Sequence, residues 1–364
     1  MGPRATKKPA SGQSAKASQG ACPYSIYHGD ALDVYESWAT PTTIISDGAY
    51  GVGGFPGDPR TPDSIGNWYR DHIEAWNSCV SPATTLWFWN TEIGWANVHP
   101  VLEANGWEYV QAIHWDKGIA HIAGNVNGST IRRFPIVNEI CVFYQRKLMM
   151  PSQDGPILAK QWLRREWERS GLPLKRANDA CGVKDAATRK YFDQGWLWYF
   201  PPPEPMGQIV AYANEHGDPA GRPYYLLNGT EPVTAEEWDS LRYKWNHEHG
   251  LTNVWEHPPV NGPERFRGTG KRHAPRVHNP KAGVASAHLN QKPIAFMERI
   301  LTACTSPGHV VWEPFGGLCS AVVAAIGLER NGVAAEPHDE FYELAVERCD
   351  LALRQHRGEG VVFK

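Results

Sequence analysis

Residues 310–337 read VVWEPFGGLCSAVVAAIGLERNGVAAEP. A short apolar run ends on the acid Glu313, a turn holds Pro314, Phe315, Gly316 and Gly317, a helix opens near Ser320, and a second apolar run ends on Glu336. Strand, glycine turn, helix and then an acid about 20 residues on is how a Rossmann-like sheet takes a nucleoside: glycines admit the ligand to the backbone, and the acid accepts hydrogen bonds from ribose hydroxyls. This segment predicts an α/β fold with a nucleoside site.

A second segment, TTIISDGAYGVGG (residues 42–54), has the form of a buried strand running into a glycine-rich turn. At a strand's carboxyl edge, where open α/β sheets hold ligands, Asp47 and the carbonyl of Gly48 can accept both protons of an amino group while Tyr50 stacks on a flat ring. Such acceptors suit alkylation of an exocyclic amine, because they hold its nitrogen toward tetrahedral geometry and so favour the transition state. The plainer alternative is a turn in which Asp47 bonds its own backbone.

Working outward, residues 1–22 hold four basic residues and no acid, the composition of a disordered basic tail. Strand and helix patterns alternate over residues 23–147, including a turn at Gly29-Asp30 and a helix start within HGDALDVY, and resume over residues 283–364, which favours a mainly parallel sheet. Between them, residues 148–282 are rich in Pro, Trp and charge and read as a separate module. The chain has 364 residues, 41% of them hydrophobic, and a net charge of −3, so overall charge does not select a polyanionic partner. Seven scattered cysteines never spaced C-x-x-C read as reduced thiols in a cytoplasmic protein, without a zinc site. Six histidines (His247, His249, His257, His273, His278 and His288) lack metal-ligand spacing, and no apolar run reaches the ~20 residues of a membrane span.

The order of HGDALDVY, SDGAYG, IHWDKG, NEICVFYQR, a variable module, HLNQKPIAFMERIL, WEPFGGLCSAVVAAI and GVAAEPHDEFYELAVERC resembles the β group of DNA amino-methyltransferases. That group places its D/N/S-P-P-Y motif first, a target-recognition region next and an F-x-G-x-G S-adenosylmethionine loop last. The resemblance runs from Tyr24 to about Leu353. It implies a circularly permuted Rossmann-like methyltransferase domain with an inserted recognition module, acting on double-stranded DNA as a homodimer, as the partner of a restriction system or alone. By position it implies that Asp47, Gly48, Ala49 and Tyr50 hold a flipped base. Phe315, Gly316, Gly317 and Ser320 would form the cofactor loop, with Glu313 and Pro314 before it and Glu336 on the ribose. His288, Gln291, Lys292 and Pro293 match a motif near the cofactor's methionine end, and Asp30 one near its adenine.

Two departures stand out. Gly48 and Ala49 replace both prolines of D-P-P-Y, removing their stiffening effect. Cys319 replaces the last glycine of F-x-G-x-G, which is comfortable only if φ there is negative. These departures keep a second reading open, a DNA-binding protein that has the fold and has lost catalysis. The implied reaction is direct methyl transfer to a base amino group, with no cysteine nucleophile. An initial Asp rather than Ser favours the 6-amino group of adenine over the 4-amino group of cytosine.

In the middle module, KQWLRREWERSGLPLKRANDACG offers two helices around a turn, with Lys175 and Arg176 on the second as candidate DNA contacts. Farther on, NGPERFRGTGKRHAPRVHNPKA carries six Lys or Arg against one acid. Arg265, Arg267, Lys271, Arg272 and Arg276 are its candidates for phosphate contacts. GTGKR there is no phosphate loop, since Arg265 stands where the first glycine belongs and Arg272 where Ser or Thr belongs.

Overall fold

The computed structural model describes residues 24–53, 57–119, 129–219, 221–246, 248–261, 264–266 and 291–359. The amino-terminal tail lies outside them, as do His288 and most of the basic segment. In chain order the elements are β1 (Tyr24–His28), β2 (Thr43–Ser46), α1 (Ile65–Cys79), β3 (Thr85–Asn90), α2 (Glu92–Ala104), β4 (Trp107–Asp116) and β5 (Asn138–Arg146). The module adds β6 (Met149–Met150), β7 (Ile157–Leu158), α3 (Ala159–Arg169), α4 (Arg176–Ala180), α5 (Pro203–His216), α6 (Ala235–Asp239) and β8 (Val254–Glu256). Then come α7 (Ile294–Cys304), β9 (Val310–Glu313), α8 (Ser320–Gly327), β10 (Asn331–Glu336) and α9 (Asp339–His356).

Eight strands form one sheet in the order β1-β10-β9-β2-β3-β5-β4-β8. All neighbours are parallel except that β5 runs against both β3 and β4. The two distant halves of the chain meet where Thr43 and Ile44 of β2 pair with Val311 and Trp312 of β9. This seam puts the turn after Ser46 beside the turn after Glu313.

Strand alternation sends successive side chains to opposite faces. Ile44, Leu86, Phe88, Val142 and Trp312 pack under α1 and α2, whereas Ile45, Trp87, Trp89, Phe143 and Val311 pack under α7 and α8. Every residue of β3 is buried, as expected for a strand covered on both sides.

The expected helix start after Asp30 is instead two 3-10 turns, Ala31–Asp33 and Tyr35–Ser37. A 3-10 turn brings residues three apart onto one face. Tyr35 and Trp38 thereby both reach Trp312, with ring centroids 5.4 and 5.1 Å away.

The middle module divides in two. Its helices enclose their own core around Trp162, Trp167 and Trp238. The chain then returns to the main sheet, where β8 pairs with β4 well before residue 282. The second helix expected there is only five residues long, with Lys175 at its N-cap and Arg176 paired to Asp179 at 3.0 Å, so it is too short to lie along a groove as a reading helix.

Candidate active site

At the seam, the carboxyl ends of β1, β10, β9 and β2 open onto a cleft of about 230 Å³. Of the residues singled out above, Asp30, Asp47, Gly48, Tyr50, Gln291, Lys292, Glu313, Pro314, Phe315, Gly316, Gly317, Ser320 and Glu336 line it. They come from both ends of the chain. Pro293 is the N-cap of α7, behind Lys292, and Ala49 is fully buried beneath the loop. Arg265 is half-buried, while Arg267, Lys271, Arg272, Arg276 and His288 fall outside the described residues.

Loop 47–52 is held without prolines. Asp58, absent from the motif reading, accepts from three successive amides: Tyr50 at 3.1 Å, Gly51 at 2.8 Å and Val52 at 3.2 Å. The Ala49 carbonyl accepts from the Tyr69 hydroxyl at 3.2 Å and the Asn90 amide at 2.9 Å.

Gly48 itself lies beneath an aromatic lid. A Cβ there would come within 2.6 Å of the Phe315 ring and 2.7 Å of the Tyr69 hydroxyl. Sterics therefore require glycine where the family motif has proline. Gly48→Pro is expected to weaken S-adenosylmethionine binding at least tenfold by displacing Phe315, with a stability loss of about 1–3 kcal/mol. Titration calorimetry and urea unfolding would check both, and unchanged binding would show that the lid yields.

The glycine turn is pinned by its own acids. Glu336 accepts from the Gly317 amide at 2.8 Å and the His338 amide at 2.9 Å, so the proposed ribose acid also shapes the loop. Buried Arg348 donates to the Leu318 carbonyl at 2.7 Å and the Ser320 hydroxyl at 3.1 Å, tying α9 to the turn. Cys319 adopts φ 51°, the uncomfortable alternative. The left-handed conformation costs roughly 1–2 kcal/mol for a side-chain-bearing residue. Its side chain offsets part of that by packing, fully buried, with Val322, Ile326 and Ala345.

Phe315 also closes the cleft's apolar wall, 5.3 Å from Trp68 and 4.8 Å from His72 between ring centroids. His72 is held neutral, since burial pulls its pKa down to about 4. Neither Trp68 nor His72 carries a motif that marks it.

Below the loop lies a buried network of two carboxylates and two ammonium groups. Lys292 Nζ lies 2.7 Å from Asp47 Oδ1 and 3.0 Å from Glu139 Oε1, and it donates to the Tyr50 hydroxyl at 3.0 Å. That hydroxyl bonds Asp47 Oδ1 at 2.8 Å and Glu139 Oε1 at 2.6 Å, and Lys117 closes the far side on Glu139 Oε2 at 2.8 Å. Glu139 is the second residue of β5, and because β5 is antiparallel its first residues reach the edge where the parallel strands end. IHWDKG and NEICVFYQR carry part of the family resemblance, but nothing local marks Lys117 and Glu139 as partners of Tyr50.

Burial dominates the titration of this network. It raises Asp47, with Lys292 opposing and Glu139 adding to the rise. Glu139 is also pushed up by burial, but Lys292 and Lys117 together hold it at about 2. Burial pulls Lys292 down, yet Asp47 and Glu139 carry it to about 12. Burial lifts Glu313 to about 8, with the Asp47 carboxylate adding to the rise and the amides of Val322 and Ala321 and the Arg348 guanidinium only partly opposing it.

The strand order, the antiparallel β5 and a cleft built from both ends of the chain define a Rossmann-like methyltransferase fold with its two halves in permuted order. The family model described as DNA methylase, of the N6/N4 type, matches residues 42–347, and the chain belongs to that family. It is 34% identical over 138 residues to the DNA adenine methyltransferase YhdJ of Escherichia coli (strain K12), covering 35% of this chain and 41% of that protein. It is 24% identical over 169 residues to the type II methyltransferase M.HpaI of Haemophilus parainfluenzae, covering 44% and 46%. The matched segments thus span less than half of each relative. Among solved structures, the cytosine-N4-specific PvuII DNA methyltransferase shares the fold at a TM-score of 0.50 and 11% identity, over 94% of this chain and 97% of that one.

Among the described residues no helix is long and apolar enough to cross a membrane, and no group of three or more His, Cys, Asp or Glu is placed to hold a metal ion.

Proposed function

We propose that this protein methylates the exocyclic amino group of a flipped base in double-stranded DNA, with S-adenosylmethionine as methyl donor and adenine as the favoured base. One observation carries the reading: Asp47 and Tyr50 share a cleft with the glycine turn and its acids, although about 265 residues separate the two segments. The lining suits the donor's chemistry, with Glu336 for ribose hydroxyls, Asp30 and the Phe315 wall for the adenine, and Glu313 for a cationic group.

S-adenosylmethionine supplies an activated methyl group on a sulfonium. The chain's own residues hold the acceptor. Lys292 and the Tyr50 hydroxyl both bond Asp47 Oδ1, which fixes the carboxylate and leaves Oδ2 to accept from an incoming amine. The Gly48 carbonyl is the second acceptor, and the ring of Tyr50 offers its face to the base. Because Asp47 is lifted by burial, it is also suited to take the proton released once the amine is methylated.

Glu313 makes cofactor binding depend on pH. The protonated carboxyl of the free protein must ionise to face a cation, so binding releases a proton below about pH 8. Affinity for S-adenosylmethionine is expected to rise by up to about tenfold per pH unit between pH 6 and 8 and then level off. Calorimetry in buffers of different ionisation enthalpy would show the proton release, and a flat profile would remove Glu313 from the site.

The deciding experiment incubates unmethylated DNA with the protein and labelled S-adenosylmethionine, then separates the nucleosides by mass spectrometry. N6-methyladenine is expected. Only 4-methylcytosine would sink the adenine assignment, and DNA binding without any methylated base would leave the non-catalytic reading. The proposal extends to a cytoplasmic homodimer, whose mass sedimentation would report, and to phosphate contacts by Lys175, Arg176, Arg265, Arg267, Lys271, Arg272 and Arg276.

A further inference from the structure

The described parts of the connection between β4 and β5, residues 117–119 and 129–137, adjoin the edge that carries the cleft, and none of the roles above uses residues 129–137. Its base is closed by the Lys117 amide on the Val137 carbonyl at 2.9 Å and by the Lys117–Glu139 ion pair. Glu139 in turn bonds Tyr50, so the loop is anchored on the proposed base-holding network. Above that base stands Phe134, 94% exposed. Arg132 and Arg133 directly precede it, both exposed, and no acidic residue occurs between Gly118 and Asn138. Phe134 is five residues from Glu139, which keeps it within about 18 Å of the network.

An exposed phenyl ring beside two cations is a poor surface for water and a poor match for an apolar protein face. It fits a duplex that has lost one base from its stack, where a flat apolar slot opens between phosphates. We propose, resting on the methyltransferase reading, that Phe134 enters the DNA helix and fills the space vacated by the target base, while Arg132 and Arg133 hold the neighbouring phosphates. Filling the gap keeps the base from returning and so lengthens its stay against Tyr50.

The test uses the full-length protein and a duplex oligonucleotide carrying the site located by long-read sequencing of DNA it has methylated. One version pairs the target base normally, and another places a pyrene nucleotide opposite it, whose ring fills the stack in place of the wedge. Phe134→Ala is expected to slow methylation of the paired duplex by roughly tenfold to a hundredfold, an unstacking energy expressed as rate. It should regain the wild-type rate on the pyrene duplex, and Phe134→Trp should retain the rate on both. Replacing Arg132 and Arg133 by Gln should lower the slope of log affinity against log salt by up to about 2. Equal rates for Phe134→Ala and wild type on the paired duplex would overturn the proposal, as would an equal loss on both duplexes. A wild-type protein that methylates no DNA would instead overturn the reading on which it rests.

Discussion

Asp47→Ala is expected to lower methyl transfer about a thousandfold while leaving S-adenosylmethionine binding within a few-fold of wild type. The size follows from removing a preorganised polar group at the position where charge develops, in a site screened from water. The fold should survive, because Lys292 keeps Glu139 as a partner at 3.0 Å and is not left as an isolated buried charge. Tyr50 likewise keeps its bond to Glu139. Single-turnover methylation with excess enzyme would separate the chemical step from binding. Retained methylation would refute the role of Asp47, and lost cofactor binding would place it in the cofactor site instead.

Lys292→Met should be more damaging to the protein as a whole. Lys292 is almost wholly buried and stands between two carboxylates, so its loss leaves Asp47 and Glu139 facing one another in a dry site. Breaking such an arrangement costs about 3–5 kcal/mol. The pH dependence identifies the cause. In the wild type, Glu139 is held at about 2, so its contribution is present above the ordinary carboxyl value of 4.5 and fades as pH falls toward 2. Lys292, raised to about 12, contributes below 10.5 and loses that contribution through 12. Without the ammonium, repulsion and burial raise the carboxyls, and the variant loses stability as pH climbs through their range. The deficit relative to wild type should therefore be full from above the raised carboxyl range up to about pH 10, shrink as pH falls through that range, and shrink further below 4.5. Urea unfolding at pH 7.5 and 4.5 measures it, and an equal deficit at both would point to packing loss instead.

Much of the fold was legible because its signals are local. Runs such as TTLWFWN and VVWE are apolar enough to be strands covered on both faces, and the glycines after Glu313 mark the turn into α8. The site was legible only in part. Asp47, Phe315, Glu313 and Glu336 announce themselves by standing where strands end, but Asp58 looks like any acid in a glycine-rich loop until three amides close on it. Glu139 and Lys117 were hidden for another reason: residues at the ends of two antiparallel strands meet Tyr50 only after the sheet has assembled.

By itself, then, the sequence determined the alternating α/β layers, the order of the two halves around a module and the chemical character of each turn, since all of these rest on periodicity and neighbouring residues. Tertiary structure alone decided that β2 lies against β9 and merges two turns into one cleft. It also decided that packing against Phe315 and Tyr69 leaves room only for glycine at position 48, and that the positive φ at Cys319 is tolerated through burial of its side chain. Those outcomes depend on contacts between residues far apart in the chain, and no local pattern encodes the space that a distant side chain will occupy.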